Sequence, residues 1–154
     1  MTRLIAAAAL LTLAGACSPS DGPTTEMVAA PVLSYTDAFV MEPIGARDMT
    51  MGGVTLSVDG GDVLLTGASS PSIGSIELHT MAMVDGRMQM RQVDGWELAD
   101  GETLELKRGG NHFMMFDVGE DVVGGETIDI TLNFETSGEP LTLVVEADVR
   151  VVGE

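Results

Sequence analysis

Both histidines of this 154-residue sequence, His79 and His112, lie close to six of its eleven methionines, which fall between Met81 and Met115. Imidazole nitrogens and thioether sulfurs are borderline to soft donors that suit Cu(I), whereas thioethers bind zinc, calcium and magnesium poorly. A methionine in a strand is more often core packing than a ligand. The coincidence of both histidines with methionines at two-residue spacing nevertheless favours a soft-metal site.

A β-hairpin is predicted around Asp85-Gly86, a dipeptide that favours the two-residue type I′ turn. The flanking segments alternate with a period of two, and closing the turn there places Met81 opposite Met90 and His79 opposite Gln92. Opposite residues point to the same face of a hairpin. The hairpin therefore predicts one face that carries His79, Met81, Met83, Met88 and Met90, with His79 diagonal to Met90.

The second donor pair follows Gly109-Gly110, in the segment Asn111-His112-Phe113-Met114-Met115. In an extended strand, residues two apart point the same way, so His112 and Met114 present an imidazole and a thioether together. Phe113 then points to the packed side. The remaining methionines of the segment are assigned to packing or to shielding of the metal; these are Met81, Met83, Met88 and Met115.

The elements that must position these donors are short β-strands. Runs rich in Val, Ile, Thr and Leu are separated by Gly, Asp and Pro, and no helical periodicity is sustained outside the N-terminal segment. This pattern predicts one all-β domain, an antiparallel sandwich or barrel. The predicted strands are 33–40, 53–58, 62–67, 75–83, 87–93, 103–107, 112–116, 126–135 and 140–152.

The N-terminal segment has the features of an export signal. Residues 1–16 carry one charge, Arg3, before an apolar run too short to span a membrane. The residues before Cys17 resemble the lipobox of bacterial lipoproteins, which predicts a lipidated Cys17; they also satisfy the rule for ordinary signal cleavage. Residues 17–31 are predicted to be a flexible tether, and 32–154 the folded domain. Because Cys17 is the only cysteine, no intrachain disulfide can form.

The formal charge of −17 excludes some functions. Such an acidic chain is an unlikely partner of nucleic acid, and its charge implies solubility and attraction to basic partners. No nucleophile with an adjacent base is evident, so an enzyme is not predicted. A blue-copper electron carrier needs a cysteine ligand, which Cys17, at the processed end, does not supply.

The spacing of the four candidate ligands resembles that of the PCuAC family of periplasmic copper chaperones: His, ten residues, Met, twenty-one residues, then His-x-Met. His79, Met90, His112 and Met114 fit this pattern completely. The similarity extends over residues 33–150, and includes the segments around SSPSIGSIELHTM and GGETIDITLNFETSGEP.

This resemblance implies a cupredoxin-like Greek-key β-sandwich that binds Cu(I) through these four residues. It further implies a periplasmic, monomeric chaperone that delivers copper to the CuA centre in subunit II of cytochrome c oxidase, directly or alongside Sco-type proteins. Two alternatives stay open at this point. One is a copper-storage or detoxification protein with the same site, and the other is a structural sandwich whose methionines only pack.

Overall fold

The computed structural model describes residues 30–45 and 47–153. These residues form ten strands and contain no helix that is long and apolar enough to cross a membrane. The strands are β1 (Val32–Met41), β2 (Met49–Asp59), β3 (Val63–Ser70), β4 (Ile73–Val84), β5 (Arg87–Gln92), β6 (Trp96–Leu98), β7 (Thr103–Glu105), β8 (His112–Val118), β9 (Thr127–Thr136) and β10 (Leu141–Arg150).

Seven of the strands form a closed, barrel-like sheet around one core. The hydrogen-bonded order runs β4-β8-β2-β1-β10-β9-β3, and an additional pairing of β3 with β4 closes the ring. The crossovers between non-consecutive neighbours agree with the predicted Greek-key architecture. All pairs are antiparallel as predicted, with one exception: β1 and β10 run parallel.

The core comes from strand residues that point inward at alternate positions. In β9 and β10 buried and exposed residues alternate, as the period-two pattern predicts, and the two strands pair from Leu141 opposite Phe134 onward. The largest side chains that are fully buried are those of Phe113 and Phe134. Burial of Phe113 fixes which face of β8 points outward.

Nine of the ten strands lie where the alternating pattern predicts them. The exception is β6, three residues that pair with β3, with Leu98 opposite Val63. Three residues are too few to establish a period of two, so this strand is set by pairing with its neighbour rather than by its own sequence.

The predicted β4–β5 hairpin forms with the predicted register: Val84 lies opposite Arg87 and Met81 opposite Met90. Its turn residues Asp85 and Gly86 have φ angles of 49° and 76°. Positive φ at both central positions is what a type I′ turn requires. The turn therefore determines which side chains of the hairpin share a face.

The predicted signal, Cys17 and nearly all of the tether lie outside the described residues. Of the tether, only Ala30 and Pro31 are described, and both precede the first strand. The assignments of residues 1–16, 17–31 and 32–154 stay predictions.

Candidate metal centre

The two histidines meet on neighbouring strands of the barrel. In the antiparallel pair of β4 and β8, His79 lies directly opposite His112. Their ring centroids are 5.9 Å apart, with the rings tilted by 52°. Directly opposite residues share a face, so both imidazoles project from the outer side of the sheet while Phe113 fills the core on the other side.

Hydrogen bonds fix the tautomer of each ring. Nε2 of His79 donates to a carboxylate oxygen of Glu77 at 2.8 Å, which leaves the lone pair on Nδ1. That Nδ1 is buried and has no hydrogen-bond partner among the described residues. Nδ1 of His112 donates to the carbonyl of Gly110 at 2.9 Å, which leaves the lone pair on Nε2. Each histidine thus keeps one nitrogen available to a metal, held in position through the other.

The two methionines of the predicted set approach this pair from different strands. Met114 follows His112 on the same face of β8, and Met90 lies on β5, diagonal to His79 across the hairpin. Met90, His112 and Met114 line one pocket of about 270 Å³. His79 does not line this pocket but lies beside His112. Three strands therefore bring the four predicted residues to one region of the sheet.

The neighbouring methionines divide into distinct environments. Met115 is fully buried, so its predicted packing role is confirmed. Met83 and Met88 are 64% and 51% exposed, so the predicted packing role is wrong for both. The alternative role, shielding of the metal, stays a prediction for these two residues. Met81 is half-buried opposite Met90.

Sequence reasoning missed three further methionines of the same pocket: Met41, Met49 and Met51. They precede His79 by at least 28 residues in the sequence, and therefore no local clustering pointed to them. The one available signal was the spacing Met49-Thr50-Met51 within a strand, because two-residue spacing places both thioethers on one face.

The charges around the centre are mixed. The carboxylate of Glu77 contacts His79 directly, whereas Asp94 is exposed and makes no hydrogen bond to either histidine. The exposed arginines Arg47 and Arg108 lie at the pocket, and neither forms an ion pair with a described residue. No group of three or more His, Cys, Asp and Glu side chains suited to a metal occurs within residues 30–45 and 47–153. Five methionines and one histidine line the pocket, so its potential soft donors are mainly neutral thioethers.

Comparison with known proteins identifies the family of this chain. A family model described as "Putative lipoprotein LpqE-like" matches residues 33–148, which is more than half of the chain. The chain belongs to the LpqE-like family. No curated protein matches this LpqE-like sequence.

Several solved structures share the fold of this LpqE-like protein. The copper-bound PCuAC domain from PmoF2 aligns with a TM-score of 0.63 at 17% identity, over 77% of this chain and 92% of that domain. The solution structure of CuI-DR1885 from Deinococcus radiodurans aligns with a TM-score of 0.59 at 29% identity, over 87% and 85%. The cupredoxin-like fold and the resemblance to PCuAC domains are thereby confirmed.

Proposed function

We propose that this LpqE-like protein is a copper chaperone that binds Cu(I) through His79, Met90, His112 and Met114. The observation that carries the proposal is the pair of opposed histidines. One ring nitrogen of each histidine donates a hydrogen bond, and the other nitrogen of His79 is buried with no hydrogen-bond partner among the described residues. An unpaired buried polar atom is costly, and a bound metal would satisfy it.

The donor chemistry favours Cu(I) as the cargo. Two imidazoles and two thioethers are neutral and soft to borderline, which suits Cu(I) and disfavours Zn²⁺, Ca²⁺ and Mg²⁺. Two solved neighbours support this choice, since one is a copper-bound PCuAC domain and the other is CuI-DR1885. The contact of Glu77 with His79 adds a negative charge next to an otherwise neutral ligand set.

Release to a partner is compatible with the exposure of the site. Met90 is 49% exposed on the outer strand of the hairpin, and a recipient's ligands can reach the ion from that side. We propose as recipient the CuA centre in subunit II of cytochrome c oxidase, reached directly or alongside Sco-type proteins. The protein acts as a monomeric binding protein and not as an enzyme, because four protein ligands leave no open position for a substrate.

Export to the periplasm places the chaperone where such a recipient would be. We propose that residues 1–16 direct export, that Cys17 carries the lipid anchor and that residues 17–31 are the tether. The family's description as a lipoprotein supports the anchor. Metabolic labelling with a radioactive fatty acid should mark the wild-type protein and leave Cys17→Ser unmarked; equal labelling of both would contradict lipidation.

Anaerobic loading of the mature domain with Cu(I) tests the binding site. X-ray absorption should report both nitrogen and sulfur ligands, and Met90→Leu with Met114→Leu should remove the sulfur contribution and weaken binding. Leucine and methionine have similar volumes, so the fold should survive. The matched control is Met83→Leu with Met88→Leu, two exposed methionines of the same hairpin. Wild-type Cu(I) affinity of the Met90→Leu, Met114→Leu variant would refute the four-ligand site.

Transfer to an apo CuA domain separates delivery from the alternative of copper storage or detoxification. A chaperone should transfer its Cu(I) faster than the metal dissociates into a chelator of matched affinity. A storage protein would release copper to both at the same rate. The same assay with the Met83→Leu and Met88→Leu control reports whether these exposed thioethers contribute to transfer.

A further inference from the structure

Three thioethers line the pocket without belonging to the four-ligand set. Met41 ends β1, and Met49 and Met51 lie near the start of β2. Together with Met90 and Met114 they give the pocket five methionines out of the eleven in the sequence. Packing of the core alone does not explain why so many of the methionines line one pocket.

The register of the sheet brings these thioethers next to the first site. Met51 lies directly opposite Met114 in the antiparallel pair of β2 and β8. Opposite residues have β-carbons roughly 4.5–5.5 Å apart, and each methionine side chain has three rotatable bonds. The hydroxyl of Thr50 donates to the carbonyl of Met41 at 2.5 Å, which holds the end of β1 against β2.

Core packing does not account for Met49 and Met51, because the other face of β2 serves that purpose. Thr50 and Gly52 are buried there, and a β-carbon on Gly52 would lie 2.7 Å from the terminal methyl of Met115. Met49 is exposed and Met51 half-buried on the pocket side. Strand positions of this kind usually carry polar or β-branched residues, so two unbranched thioethers need another explanation.

We propose that Met41, Met49 and Met51 form a second, thioether-only position for a soft monovalent cation, Cu(I) or Ag(I), next to Met114. The inference rests on the proposed function, since the same pocket would hold the same class of ion. Three thioethers offer soft, neutral donors that need not lose a proton before they bind. An ion leaving Met114 would meet Met51 as the nearest sulfur on the neighbouring strand.

Two cationic side chains and one carboxylate line the pocket that would hold both ions. Arg47 and Arg108 oppose a second cation, and Glu42 is the acidic residue of the pocket lining. Both arginines are exposed, so water and salt screen much of their repulsion. The thioether-only position has fewer donors and no imidazole, so we expect it to fill after the position that has histidine ligands and to release its ion more readily.

Titration with Ag(I), followed by NMR of methionine methyl groups labelled with carbon-13, tests the proposal in the whole mature domain. Single Met→Leu variants assign the signals. The first equivalent should shift the methyl signals of Met90 and Met114, and the second should shift those of Met41, Met49 and Met51. Met51→Leu should lose the second equivalent in native mass spectrometry, whereas the control Met88→Leu should keep it.

The outcomes separate this inference from the proposed function. If Met90 and Met114 shift while Met41, Met49 and Met51 stay unchanged under excess Ag(I), the second position does not exist and the first does. Retention of the second equivalent by Met51→Leu would also overturn it. Movement of Met41, Met49 and Met51 alone would support the second position and contradict the four-ligand site. If no methyl signal moves, both fail.

Discussion

Removing the carboxylate of Glu77 should weaken Cu(I) binding without unfolding the protein. Glu77 accepts the hydrogen bond from Nε2 of His79 and thereby keeps the lone pair on the buried Nδ1. In Glu77→Leu the ring loses this acceptor, so the proton can move to Nδ1 and block it. Leucine is tolerated at this half-exposed strand position, and we expect the fold to persist.

The size of the effect follows from the hydrogen bond that is lost. A hydrogen bond to a charged group contributes about 1.5–3 kcal/mol, and loss of such a partner of a metal ligand typically lowers affinity about 10–100-fold. The side chain of Glu77 is 37% exposed, so solvent screens part of the interaction. We therefore expect a loss at the lower end, roughly tenfold or about 1.4 kcal/mol. Glu77→Gln keeps a neutral acceptor and should lie between wild type and Glu77→Leu.

Competition for Cu(I) with a chromophoric chelator measures the affinity, and nitrogen-15 NMR of the His79 ring in the metal-free protein reports its tautomer. The wild type should show the proton on Nε2, and Glu77→Leu a mixture of tautomers. Glu97→Gln, on the short strand β6, controls for the loss of one negative charge. A Glu77→Leu protein with wild-type affinity and an unchanged tautomer would refute the reasoning.

Two further predictions concern the scaffold. Met115→Ala should lower the free energy of unfolding, measured in urea, by about 2–5 kcal/mol because it opens a cavity in the core. Met83 is exposed, so Met83→Ala should change this free energy by less than about 0.5 kcal/mol. Equal effects of the two substitutions would contradict the assignment of faces on β8. Gly86→Ala should cost about 1–2 kcal/mol because its φ is 76°, and it should weaken Cu(I) binding by disturbing the hairpin that carries Met90. Gly110→Ala is the control for the free energy of unfolding, because Gly110 has a negative φ and an added β-carbon there would make only ordinary van der Waals contacts.

Local patterns predicted the strands and the hairpin register because both depend on short-range chemistry. Asp85-Gly86 can adopt positive φ at both central positions, and this fixes Met81 opposite Met90. Period-two alternation then assigns each side chain to a face. Strand β6 lacked such a signal, and the parallel pairing of β1 with β10 joins opposite ends of the domain, where no local pattern operates.

The convergence of the two histidines could not be derived from the residues alone. His79 and His112 are separated by more than thirty residues and lie on strands that are not consecutive in the chain. Their meeting was implied only by the family spacing. The partners that select the tautomers, Glu77 and the carbonyl of Gly110, also became apparent only from the structure.

The sequence by itself determined the donor types, the strand character and the face on which each donor lies, because these follow from side-chain chemistry and the pleat of a strand. Tertiary structure decided which strands are neighbours. It placed β8 between β4 and β2. His112 of β8 therefore lies opposite His79 of β4, and Met114 of β8 lies opposite Met51 of β2. Phe113 and Met115 are fully buried in the closed core, and the strand pleat therefore turns His112 and Met114 to the opposite face of β8.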